Sequence, residues 1–143
     1  TVISYDLKSQ NVKIEVNRRS FGSKYAVKTY LGISMLVMVE EDMFANKLMA
    51  MSERLHKTSR DIYDVYFFFK NNWPINKKLV EDRAKMPFKE FLVKCLGLLE
   101  KMDNRHILTG LGEVLAKPQK DWAKEKLLVE TIFLLKLALD SEK

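Results

Sequence analysis

The hydrophobic period of this chain changes once, at Glu40, and that change limits the architectures open to it. In Val12-Lys13-Ile14-Glu15-Val16-Asn17 the residues Val12, Ile14 and Val16 alternate with polar neighbours, the period of a half-buried strand. Val2 to Leu7 is a similar run, and the polar stretch Lys8-Ser9-Gln10-Asn11 between the two predicts a hairpin. Two more strands, Tyr25 to Tyr30 and Ile33 to Val39, are expected around Gly32. Beyond Glu40 the spacing turns helical. Met43, Phe44, Leu48, Met51 and Leu55 form one apolar stripe behind the acidic start Glu40-Glu41-Asp42.

A second helix should follow, with Ser59 as its cap, Ile62, Val65, Tyr66 and Phe69 as its apolar face, and Pro74 beyond its end. Shorter helices are expected over Lys77 to Lys85 and Phe88 to Met102, the latter opened by Pro87. Gly110 and Gly112 interrupt the pattern between Asp103 and Pro118, and a long final helix runs from about Gln119 to Asp140. The expected fold class is therefore α+β: a short, mostly antiparallel N-terminal sheet followed by an α-helical bundle. Residues 1–143 should form one packed unit, 1–39 the sheet and 40–143 the helices, because a few strands alone rarely hold together.

Charge and cysteine usage narrow the function classes. The net charge of +6 favours polyanionic partners, although the positive residues are scattered and a solvated helical surface accounts for most of them. The single cysteine, Cys95, lies in the apolar run Phe91 to Leu96. It permits no disulfide within the chain, which favours a reducing cytoplasm, and it reads as a packed, inert thiol. No apolar stretch approaches the roughly 20 residues that cross a bilayer, so no membrane association is expected. His56 and His106 have no metal-ligand spacing, and no nucleophile elbow, phosphate loop or dinucleotide fingerprint occurs. The chain opens on Thr1, directly in a strand-like run, which reads as a fragment.

The most informative stretch is Glu40 to Phe69. Lys47 and Arg54 fall on one face of the first helix with the small Ala50 between them, and Asp61 and Asp64 share a face of the second. The short connection from Leu55 to Thr58 makes the two helices an antiparallel hairpin, which brings the basic and acidic faces together. Two readings stay open. One is a structural ion-pair network involving Arg54, Arg60 and one of the aspartates. The other is a phosphate-facing Lys47, followed by small and apolar residues, with a carboxylate orienting it.

The ordered set EDMFANKL, Ala50, Glu53-Arg54, RDIYD and an aromatic run resembles the AbiEii/AbiGii nucleotidyltransferase family, over roughly Lys13 to Asn71. The family's lysine, alanine, arginine and Arg-Asp-x-x-Asp positions correspond to Lys47, Ala50, Arg54, Arg60, Asp61 and Asp64. The resemblance implies that the N-terminal strands are part of a nucleotidyltransferase sheet. It also implies transfer of a nucleoside monophosphate from an NTP to an RNA, such as tRNA, or to a protein. Mg2+ and NTP would serve the intact protein, with a cognate antitoxin as a further partner. Lys47 and Arg54 would bind the nucleotide, with Lys47 meeting the triphosphate. Asp61 and Asp64 would support it or contact the acceptor, and Arg60 would be structural or supporting. Glu15 would be the third carboxylate of the metal site; an exposed strand glutamate is the alternative.

One departure from the family pattern is plain. No Gly-Ser or Gly-Gly turn is followed by Asp-x-Asp, and Gly22-Ser23 leads into Tyr25 to Tyr30 without a carboxylate. The sequence thus predicts the C-terminal part of such an enzyme, inactive alone and binding no cofactor tightly. The competing expectations are a non-catalytic RNA- or protein-binding module of the same fold, and a purely helical scaffold with Trp73 and Trp122 in its core.

Overall fold

The computed structural model describes residues 20–142 throughout, together with the backbone of Val2–Ile3 and Val12–Lys13. The pairs Val2–Ile3 (β1) and Val12–Lys13 (β2) run antiparallel, with Val2 opposite Lys13 and Ile3 opposite Val12. The first expected hairpin is present to that extent. The rest of its two runs, Glu15 included, lies outside the described residues.

Tyr25–Tyr30 (β3) and Ile33–Met38 (β4) form a second antiparallel pair, Tyr25 opposite Met38 and Tyr30 opposite Ile33. Leu31 and Gly32 between them both have positive φ, 49° and 79°. This mirror-image turn follows the strands' own twist, and a glycine adopts its second position without a Cβ penalty. Most side chains of the pair are exposed. What fixes it to the helices is its open end. The Val39 N–H donates to the Lys24 carbonyl at 3.1 Å, and the Lys24 N–H donates to Asp42 Oδ2 at 2.6 Å.

The helical part begins with Glu40–Arg54 (α1) and Arg60–Lys70 (α2), the expected hairpin. Lys77–Ala84 (α3) and Phe88–Glu100 (α4) follow, then a 3-10 turn at Asn104–His106, Lys117–Trp122 (α5) and Leu128–Asp140 (α6). α1 packs on α2 and α3, and α6 packs on α4 and α2. The stripe foreseen on α1 supplies Phe44, Leu48 and Met51 to the core, where Ile62, Val65, Phe91, Leu92 and Leu135 join them. Phe68 stacks on Trp73 at 4.2 Å and 9°, so the tryptophan covers the end of α2 with a large apolar face. Cys95 is buried, and that burial pushes its thiol up to about 12. No helix among the described residues is long and apolar enough to cross a membrane.

Two local expectations need correction. Ser59 occupies the cap position of α2, but its hydroxyl points to the His106 carbonyl at 3.5 Å and makes no cap bond. Thr58 Oγ1, one residue earlier, accepts the Arg60 N–H at 3.2 Å in a tight turn leading into the helix. Tertiary packing against residues 106–109 has outbid the local cap. The final helix begins at Lys117 and carries a π turn at Ala123–Leu127. That turn keeps Ala123 and Leu127 buried on either side of the exposed Lys124, Glu125 and Lys126.

Candidate functional site

Asp61 is the buried centre of the α1–α2 cluster. Its side chain is 3% exposed, and Arg54 Nη2 donates to both of its oxygens at 3.0 and 2.8 Å. Lys47 Nζ donates to Asp61 Oδ1 at 3.3 Å and lies 2.5 Å from Asp64 Oδ2. The arrangement follows from helix geometry. Lys47 and Arg54 stand two turns apart on α1, Asp61 and Asp64 one turn apart on α2, and the tight connection sets the faces against each other. The four charges sum to zero, yet they are not mixed. Lys47 and Arg54 line a cleft of about 660 Å³, whereas neither aspartate reaches its lining. The carboxylates hold the cations from behind and leave them facing open space.

The far wall of the cleft is built from residues whose role the sequence pattern does not reveal. Arg83 of α3 lies over the Phe21 ring at 3.8 Å, donates to Asn46 Oδ1 at 2.5 Å, and approaches Glu53 at 3.4 Å. Burial lowers its pKa from the usual range, with Glu53 opposing that shift. Asn46 in turn donates to Ser23 Oγ at 2.9 Å and to the Asp42 carbonyl at 2.8 Å. Asp42 is wholly buried, and its carboxylate accepts the Lys24 N–H and, at 2.5 Å, the Asn76 side-chain amide. Asn76 also caps α3 by accepting the Leu79 N–H. A single carboxylate thus joins the strand pair, α1 and α3 and fixes the width of the cleft. The only hint in the sequence was an acidic run at a helix start, which marks a dipole partner on any surface helix.

Among the expected site residues, the structure therefore brings Lys47, Arg54, Asp61 and Asp64 together. Arg60 stands apart, exposed and without an ion pair among the described residues. Glu15 lies outside them. A divalent metal needs several oxygen donors converging on one point. Asp61 and Asp64 instead converge on an ammonium and a guanidinium, and no group of three or more acidic, His or Cys side chains among the described residues could hold an ion. The described residues by themselves do not fit a metal centre.

What they do present is two cationic groups, Lys47 and Arg54, on the wall of the cleft. The family described as Nucleotidyl transferase AbiEii toxin, Type IV TA system, matches residues 3–130, which takes in Ile3 of β1, β2 to β4, α1 to α5 and the start of α6. No curated protein and no solved structure matches the chain. With the match spanning most of its length and enclosing the whole cluster, the chain belongs to the AbiEii family of nucleotidyl transferase toxins of type IV toxin–antitoxin systems.

Proposed function

We propose that the intact protein transfers a nucleoside monophosphate from an NTP to an RNA or protein acceptor in the cytoplasm, and that the Lys47 wall of the cleft receives the triphosphate. The family implies a nucleoside triphosphate substrate, a divalent metal in the intact enzyme and an antitoxin partner. The observation that carries the residue assignment is the placing of charge: Lys47 and Arg54 line the cleft while Asp61 and Asp64 do not, and with Arg83 the two cations outnumber Glu53, the one carboxylate of its lining among the described residues. In the reaction an acceptor oxygen forms a bond to the α-phosphorus, the bond to the bridging oxygen breaks, and pyrophosphate leaves. Charge grows on phosphate oxygens during that step, and fixed cations stabilise it without reorganising. Lys47 would contact the triphosphate directly, with Arg54 beside it. Asp61 and Asp64 act through Lys47 and are positioning residues. The chain has no Gly-Ser or Gly-Gly turn followed by Asp-x-Asp, and we propose that it transfers nothing without that motif.

The test is incubation of the intact protein with each labelled NTP and with cellular RNA and protein. Lys47→Ala should lower transfer by about 100-fold, the typical cost of one preorganised donor to a developing charge, while its melting stays close to the parent's. Unchanged transfer in Lys47→Ala would refute the role of that lysine. Binding of RNA with no transfer from any NTP would favour the non-catalytic module.

A further inference from the structure

The connection between α1 and α2 borders a second cavity of about 380 Å³, which shares no lining residue with the Lys47 cleft. His56 and Lys57 reach it from the connection, Lys101 from just beyond α4, and His106 from the 3-10 turn. Thr58 and Ser59 stand at the start of α2, whose N-terminal end favours an anion, with their own hydroxyls donated to the Thr109 and His106 carbonyls. Asp103 is the one carboxylate on the lining among the described residues, and Arg105 already holds it through its backbone N–H at 2.9 Å and its guanidinium at 2.5 Å. Leu55, Leu98 and Met102 complete the wall, and its rings among the described residues are the imidazoles of His56 and His106.

This cavity is built rather than incidental. The Ser59 N–H donates to the Thr109 carbonyl at 2.9 Å, which ties the segment carrying His106 to the head of α2. Gly110 has φ of +77°, and a Cβ there would overlap Thr58 Oγ1. Only a glycine lets the two segments come so close. Four basic side chains from three separate pieces of chain are thereby gathered around one opening.

We propose that this cavity binds a backbone phosphate of single-stranded RNA, as an anchoring site distinct from the cleft. Lysine ammonium groups suit phosphate as hydrated point charges, and Lys57 and Lys101, both exposed, stand at the opening where the backbone of an extended strand can reach them. The proposal rests on the reading that the acceptor is RNA, and a binding measurement separates it from transfer.

The experiment is fluorescence anisotropy of a labelled single-stranded RNA with the intact protein across a salt series, alongside NMR of the His56 and His106 imidazoles. Lys57→Gln/Lys101→Gln should weaken the RNA by roughly tenfold near 0.1 M salt and reduce the slope of log K against log salt by about 1.4, for two lost contacts. Lys89→Gln/Lys94→Gln, on the exposed face of α4, should leave the affinity unchanged. RNA should move both imidazole signals. Equal losses in the two double variants would reduce the effect to net charge and overturn the site, as would unchanged affinity in the first. ATP moving the imidazoles while RNA leaves them still would overturn the RNA source. RNA binding that depends on Lys57 and Lys101, without transfer from any NTP, would sustain this site and remove the transferase reading.

Discussion

Replacing Asp61 by Asn tests the cluster at its buried end. The change is nearly isosteric but removes the charge that Arg54 and Lys47 share. Breaking a fully buried pair costs about 3–5 kcal/mol. That figure is too large here, because the Lys47 and Arg54 side chains remain 32% and 51% exposed and regain water when released. The amide oxygen also still accepts one bond. A charge-assisted hydrogen bond is worth about 1.5–3 kcal/mol, and that range is the better figure. For 143 residues this lowers the melting temperature by about 5–10 °C. Asp64→Asn gives the contrast: its side chain is 28% exposed and among the described residues its ion pair is with Lys47, so it should cost under about 1 kcal/mol. Thermal and urea unfolding of both variants, with transfer measured well below their transitions, checks the argument. Both should transfer poorly because Lys47 is no longer held. Asp61→Asn melting within 2 °C of the parent (~0.5 kcal/mol), or Asp64→Asn costing as much as Asp61→Asn, would refute the buried-anchor account.

Cys95 should react with a thiol reagent at pH 8 only after unfolding, which a labelling time course with and without urea would show. The folded state keeps its thiol proton to about 12 while the unfolded chain releases it near 9.0. Its contribution is therefore full below pH 9.0 and declines as the pH rises towards 12. Cys95→Val should flatten that alkaline loss in a pH series of urea midpoints, and an unchanged slope would contradict it. Gly110→Ala and Gly32→Ala both place an L-residue at positive φ, but only Gly110 has a neighbour in the way. Gly32→Ala should cost about 1–2 kcal/mol, and Gly110→Ala clearly more; equal melting temperatures would contradict the close contact with Thr58. Asp42→Ala strips the shared acceptor from Lys24 and Asn76 and should destabilise by about 1–3 kcal/mol per orphaned donor, with hydrogen exchange accelerating at the Lys24 amide. An unchanged Lys24 amide would mean that Asp42 does not tie the strand pair down.

The parts legible from sequence are those that local spacing controls. The β3–β4 turn followed from Gly32 between two strand-like runs, and α1 and α2 followed from apolar residues repeating at helical intervals. The meeting of Lys47 with Asp61 and Asp64 was also legible, because helical spacing and a short connection leave few other arrangements. The other wall of the cleft was not. Arg83 and Asn46 are 37 positions apart, as are few side-chain partners that any local pattern could couple. Ser59 looked like a cap and is drawn instead towards His106, because a hydroxyl takes the acceptor that packing supplies.

By itself, then, the sequence determined the change from strand to helix at Glu40, the hairpin of α1 on α2 and the pairing of their charged faces, all consequences of short-range periodicity. Only the tertiary structure decided that Lys47 and Arg54 face a cleft while their aspartates stand behind, and that Asp42, alone among three neighbouring acids, is buried between the strand pair and α3. Those outcomes depend on which distant surfaces come to lie against each helix. Backbone and side-chain donors then settle where each carboxylate points, and no spacing rule carries that information.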